Sequence, residues 1–141
     1  MPKITSKLLL RIAAIIMLLH AIGHTLAIVT WRKPNGKIPF GIVQKMQDTH
    51  FSFQGKDSTM ASFFSGHGYA GTIFLLLIVS ILWTISNWQE KRATKILWLV
   101  GVAIVLLAVD EQLFFFPMAM VFSLLAAALV FISIFKISKV S

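Results

Sequence analysis

The sequence predicts an all-α integral membrane protein: a four-transmembrane-helix bundle with an amphipathic interfacial helix in its first outer loop. Three observations carry this. Four apolar stretches, residues 8–29, 63–88, 93–116 and 118–135, match or approach the roughly 20 residues that cover a hydrocarbon core about 30 Å thick at about 1.5 Å per residue. A mean hydropathy of +0.84 with only 13% charged residues leaves too few polar side chains to solvate a soluble domain. The single long connection, between the first two stretches, is turn-rich and then amphipathic.

The first stretch, LLLRIAAIIMLLHAIGHTLAIV, follows Lys7 and precedes Trp31-Arg32-Lys33. A signal peptide is the competing reading. Its apolar core would span only about 7–15 residues and end in a small-residue cleavage site, whereas this run is longer and closes on an interfacial anchor. Arg11, one turn from the inner end, can carry its charge back to the headgroups on its long stem. Spacings of three, four and seven put Ala13, Met17, His20, His24 and Ala27 on one face, with Leu10, Leu18 and Ile28 largely elsewhere. In lipid such a small, polar stripe turns towards neighbouring helices.

The connection begins TWRKPNGKIPFG, a turn signal with Pro34, Asn35, Gly36 and Pro39. A loop of about 30 residues in a small domain predicts structure of its own. In residues 41–53, Val43, Met46, His50 and Phe53 share a helical face while Lys45, Gln47 and Asp48 point elsewhere, which predicts a short helix in the membrane interface that Gly55 ends. The second span opens with SFFSGHGYAG, where Gly66, Gly68 and Gly71 allow close backbone approach. A polar turn, NWQEKR, leads to the third span, uncharged until Asp110 and Glu111. Pro117 breaks that helix and starts the fourth, a favourable first-turn position. Trp31, Trp88 and Trp98 read as interfacial belt residues. The glycines of SGHGYAG do not form a phosphate loop, since no strand precedes them.

The 141 residues form one domain, 1–141. No cysteine is present, so no disulfide or thiolate chemistry is available. The net charge of +8 would suggest nucleic acid for a soluble protein. Here the charges flank apolar segments and meet anionic headgroups, so the expected partners are the lipid bilayer and another membrane protein or a second copy, with no nucleic acid. Four spans put both termini on one side. Lys3, Lys7, Arg11, Lys91, Arg92, Lys95, Lys136 and Lys139 flank that side, so the positive-inside rule predicts cytoplasmic termini and the inner (cell) membrane.

With that orientation His20 lies just past mid-membrane, His24 near the outer surface, His67 in the outer turns of the second span, Asp110 and Glu111 in the outer turns of the third, and His50 in the outer loop. The titratable groups thus gather in one leaflet. Intramembrane ionisable groups point to function. Neutral imidazoles at i and i+4 can grip one metal ion, and a third histidine or a carboxylate would complete the set, so His20, His24 and His67 are the metal candidates. HAIGH lacks the glutamate of the HExxH zinc motif. A haem would need His20 or His24 opposite His67, or a single axial ligand. Each group also has a plainer role. His20 and His24 suit hydrogen-bonded helix packing, His67 a polar contact at a helix start, and His50 an interfacial position. Asp110 and Glu111 suit a solvated helix end, with pairing to a histidine or Arg32 as the rival.

The segments H-A-I-G-H-T, M-Q-D-T-H-F-S-F-Q-G and F-F-S-G-H-G-Y together resemble a family of small bacterial four-helix membrane proteins, conserved but with no assigned activity. The matching positions are Gly23, His24, His50, Phe51, Gly55, Phe63, Phe64, Gly66 and Gly68. The chain departs from that pattern at His67, where an aromatic is expected, and at Lys56-Asp57-Ser58, where an arginine-serine pair is more usual. The resemblance covers about half of the chain and implies architecture, not mechanism. Three functions follow for test: a binding or accessory membrane protein with a His/carboxylate pocket, a membrane-embedded metal- or haem-dependent enzyme, and a small proton-coupled transporter.

Overall fold

The computed structural model describes residues 5–33, 38–88 and 91–140, the side chains of 91, 92, 139 and 140 excepted. The turn expected around Pro34, Asn35 and Gly36 lies outside the described residues, as does Lys3. Five helices and one hairpin follow in the order α1 (Ser6–Thr30), α2 (Phe40–Asp48), β1 (His50–Phe53), β2 (Lys56–Thr59), α3 (Met60–Ile85), α4 (Lys91–Phe114) and α5 (Pro117–Val140). α1, α3, α4 and α5 are each long and apolar enough to cross a membrane. Their exposed side chains include Leu26, Ile73, Leu99, Leu106 and Leu113, each more than half exposed. Water does not tolerate so much continuous apolar surface, and lipid does. The chain is a multi-pass membrane protein on these grounds.

Two compact units divide the chain: Met1–His20 with Leu75–Ser141, and Ala21–Phe74. In the first, the core is built from Leu10, Met17, Leu82, Leu97, Ile104 and Val130, all fully buried. α4 and α5 are joined by Phe115-Phe116 alone, so they pack as an antiparallel pair. Gly101 admits the Phe131 ring, whose nearest atoms would lie 3.0 Å from a Cβ there, and Trp98 packs on the same ring with centroids 5.1 Å apart. Leu10 is fully buried beside Ala13 and Met17, where the sequence suggested another face. It lies three residues before Ala13, hence on the same stripe. Arg11 lays its guanidinium 5.1 Å over the Trp83 ring and reaches Asn87 Oδ1 at 3.5 Å.

In the second unit, α2 packs Val43 and Met46 on Trp31 and Ala61. Trp31 is buried here, 6% exposed, and donates from Nε1 to Ser65 Oγ at 3.3 Å, so it is a core residue of the connection and not an exposed belt residue. The expected helix over 41–53 stops at Asp48. Thr49 is extended, and residues 50–59 form a hairpin with Phe53 opposite Lys56. Gln54 and Gly55 both have positive φ, 49° and 77°, the backbone a two-residue hairpin turn demands. Gly55 therefore turns a hairpin where a helix end was expected. Phe53 is two-thirds exposed, and His50 is exposed on β1.

The glycines at the start of α3 serve unequal roles. A Cβ at Gly68 would collide with the Ile28 side chain, and one at Gly71 would meet His24 Nε2 at 3.0 Å. Gly66 has open space. Ile28 is buried against this gap, while Ala27, expected on the seam, is exposed.

Candidate functional site

Among the described residues, His20 and His24 each belong to a hydrogen-bonded set of the spanning helices. The first lies where α1, α4 and α5 meet in the first unit. His20 Nε2 is 3.2 Å from Glu111 Oε1, and His20 Nδ1 is 3.4 Å from Ser123 Oγ. The Ser123 hydroxyl also hydrogen-bonds the Glu111 carboxyl group. All three residues are buried, and Phe122 packs near the imidazole with ring centroids 6.1 Å apart. Glu111 Oε2 is buried without a hydrogen-bond partner.

The residues reach this point because of helical phase. On α4, Ile104, Ala108 and Glu111 follow at four and three, so the carboxylate shares the buried stripe. Asp110 is one residue out of phase and exposed. On α5, Ser123, Ala126, Ala127 and Val130 form the matching stripe, small enough for close helix approach. Chemically, the set holds one titratable proton between an imidazole and a carboxylate. With the proton on the imidazole, Nε2–H donates to Glu111, Nδ1–H donates to Ser123, and Ser123 donates back to the carboxylate. With the proton on Glu111, the carboxyl group donates to Nε2. Each arrangement is net neutral and keeps the His20–Glu111 bond, which is what a low-dielectric interior requires of a buried pair.

The second set belongs to the second unit. His24 Nε2–H donates to the Gly68 carbonyl at 3.0 Å. A carbonyl only accepts, so the proton is assigned to Nε2. The same oxygen takes the Thr72 hydroxyl at 3.3 Å, and the Thr72 and Thr25 hydroxyls pair at 3.2 Å. The His24–Gly68 and Thr25–Thr72 bonds cross from α1 to α3, and the Thr72–Gly68 bond lies within α3. His67 is exposed and donates from Nδ1 to the Phe63 carbonyl of its own helix at 3.1 Å, its ring 4.3 Å from that of Phe63. Arg32 is held by Ser65 Oγ at 2.9 Å and the Ala61 carbonyl at 3.2 Å, over the Trp31 ring.

Of the candidates named from sequence, the structure thus joins His20 to Glu111 and gives His24 a backbone carbonyl. His67, His50 and Asp110 are exposed. No group of three His, Cys, Asp or Glu side chains able to hold a metal ion occurs among the described residues. Sequence reasoning missed Ser123. Its signal was a hydroxyl three residues before the alanine run of an otherwise apolar span, at the depth of Glu111 across the α4–α5 turn. No family model, curated protein or solved structure matches the chain.

Proposed function

We propose that this protein is a binding or accessory membrane protein without catalysis, a four-helix bundle in which buried polar pairs clamp the helices. The observation that carries this reading is the occupancy of His20. Both of its ring nitrogens are engaged by groups of the chain, Glu111 at 3.2 Å and Ser123 at 3.4 Å. A nitrogen committed to a hydrogen bond does not offer its lone pair to a metal or haem iron. The metal- or haem-dependent enzyme, with His20, His24 and His67 as ligands, would require His20 to give up one of those partners and His24 to leave Gly68. A proton-coupled transporter would draw on the same His20–Glu111 proton, and proton flux in liposomes separates it from the clamp.

In this reading the termini are cytoplasmic, the membrane is the inner (cell) membrane, and α2 lies in the opposite interface. The support is the density of basic residues at the ends of α1, α4 and α5, and the exposed Phe40 and Ile42 of α2, which suit the acyl boundary. The resemblance to small bacterial four-helix membrane proteins agrees with this architecture. Elemental analysis and an optical spectrum of detergent-purified protein test the function. The expected result is no stoichiometric transition metal and no Soret band. A metal or haem at one per chain, lost in His20→Ala with the fold intact, would contradict it.

A further inference from the structure

A groove of about 570 Å³ opens on the second unit between β2 and the first three turns of α3. Its floor is a line of small residues, Ser62, Gly66 and Ala70, spaced four apart down α3. Phe63 and His67, their rings tilted at 53° with centroids 4.3 Å apart, also line it, as do Lys56, Asp57 and Ser58 of β2. Neither Lys56 nor Asp57 has an ion-pair partner among the described residues. β2 thus contributes opposite charges and a hydroxyl to the lining, and α3, a helix long and apolar enough to span the membrane, contributes small and aromatic residues. β2 runs directly into α3, from Thr59 to Met60, so the charged end sits at the end of a span, the level of lipid headgroups.

We propose that this groove binds a phospholipid whose headgroup carries both a phosphate and a primary amine. Lys56 meets the phosphate with Ser58 beside it, Asp57 meets the ammonium, and the start of an acyl chain lies over Gly66 and Ala70 against Phe63. One cation beside one anion matches a headgroup with one charge of each sign. An anionic headgroup would face Asp57 with like charge, and a quaternary amine would offer Asp57 no N–H to accept. His67 has spent its Nδ1–H on the Phe63 carbonyl, which leaves Nε2 as a second acceptor for the ammonium. The volume suits a headgroup and the first part of a chain.

The proposal rests on the non-catalytic binding reading and names the ligand class for it. Full-length protein reconstituted with equal phosphatidylethanolamine, phosphatidylglycerol and phosphatidylcholine is extracted in mild detergent, and retained lipid is counted by native mass spectrometry. The expected result is one phosphatidylethanolamine per chain, preferred about tenfold over the other two, as two charge-assisted contacts imply. Lys56→Glu and Asp57→Lys should each abolish the preference, and the swapped pair Lys56→Asp with Asp57→Lys should restore part of it. Gly66→Leu should exclude the lipid without unfolding the protein, because a side chain there meets open space. Equal retention of the three lipids, preference for phosphatidylglycerol, or full displacement by soluble glycerophosphoethanolamine would each overturn the proposal. A negative metal and haem scan beside any of those results would sink the groove alone and leave the non-catalytic reading standing.

Discussion

At the scale of single residues, the pairing of buried polar atoms decides stability. Ser123→Ala removes the hydroxyl that answers His20 Nδ1 inside a buried polar set. It should cost about 1–3 kcal/mol of stability, measured by reversible unfolding in lipid-detergent mixtures. Asp110→Asn, at an exposed neighbour of Glu111, should change stability by no more than about 0.5 kcal/mol in the same assay. Equal losses at 110 and 123 would contradict the assignment. The sequence contained half of this site. Depth along the spans brought His20 and Glu111 to comparable levels, and it brought Asp110 there as well. Depth says nothing about rotation, and α4 is apolar on every face, so its buried stripe has no polar contrast to reveal it. The phase becomes visible only with the small and buried Ala108 and Ile104 in place. Ser123 was passed over because a lone hydroxyl in a span can bond its own helix backbone and cost nothing.

At the scale of elements, glycine placement sets how closely α1 and α3 approach, and turn chemistry sets where the helix α2 gives way to a strand. The glycine cluster SGHGYAG was legible as a close-approach site, but the three glycines looked alike. The structure separates them: Gly68 faces Ile28, Gly71 faces His24, and Gly66 faces a groove. Gly68→Ala should therefore destabilise by about 1–3 kcal/mol through overpacking, and Ile28→Ala should relieve part of that loss in the double variant. Gly66→Ala should be neutral or slightly stabilising, since Ala is the better helix former. A Gly66→Ala loss as large as that of Gly68→Ala would refute the distinction. The hairpin was misread because Val43, Met46, His50 and Phe53 happen to follow helical spacing. The competing signal was Gln-Gly directly after the aromatic-rich run His50–Phe53. Asn is the favoured partner of Gly in such a turn, so Gln54→Asn should stiffen the hairpin and slow limited proteolysis between residues 50 and 59. Unchanged or faster cleavage would speak against the two-residue turn.

At the scale of the molecule, the spans were the most legible feature because the bilayer imposes a length that composition alone satisfies. The helices extend past the expected bounds at most ends, Ser6–Thr30 for 8–29 and Pro117–Val140 for 118–135, since lipid-facing periodicity does not mark where a helix leaves the hydrocarbon. The absence of cysteine allows a clean topology map. An impermeant maleimide on intact cells should label Ser52→Cys in the hairpin, and should label Thr5→Cys and Ser138→Cys only after permeabilisation. Labelling of Thr5→Cys and Ser138→Cys but not Ser52→Cys on intact cells would invert the topology, and labelling of all three from one side would dismantle it. The central claim is that His20 and Glu111 stabilise the protein as a pair. A double-mutant cycle in a lipid environment tests it most directly, with His20→Phe, Glu111→Leu and the double variant unfolded under identical conditions. The account predicts that either single change is costly and that the double loses less than the sum, with a coupling of about 1 kcal/mol or more. Strict additivity, within about 0.3 kcal/mol, would show that the two side chains do not depend on each other and would contradict the clamp.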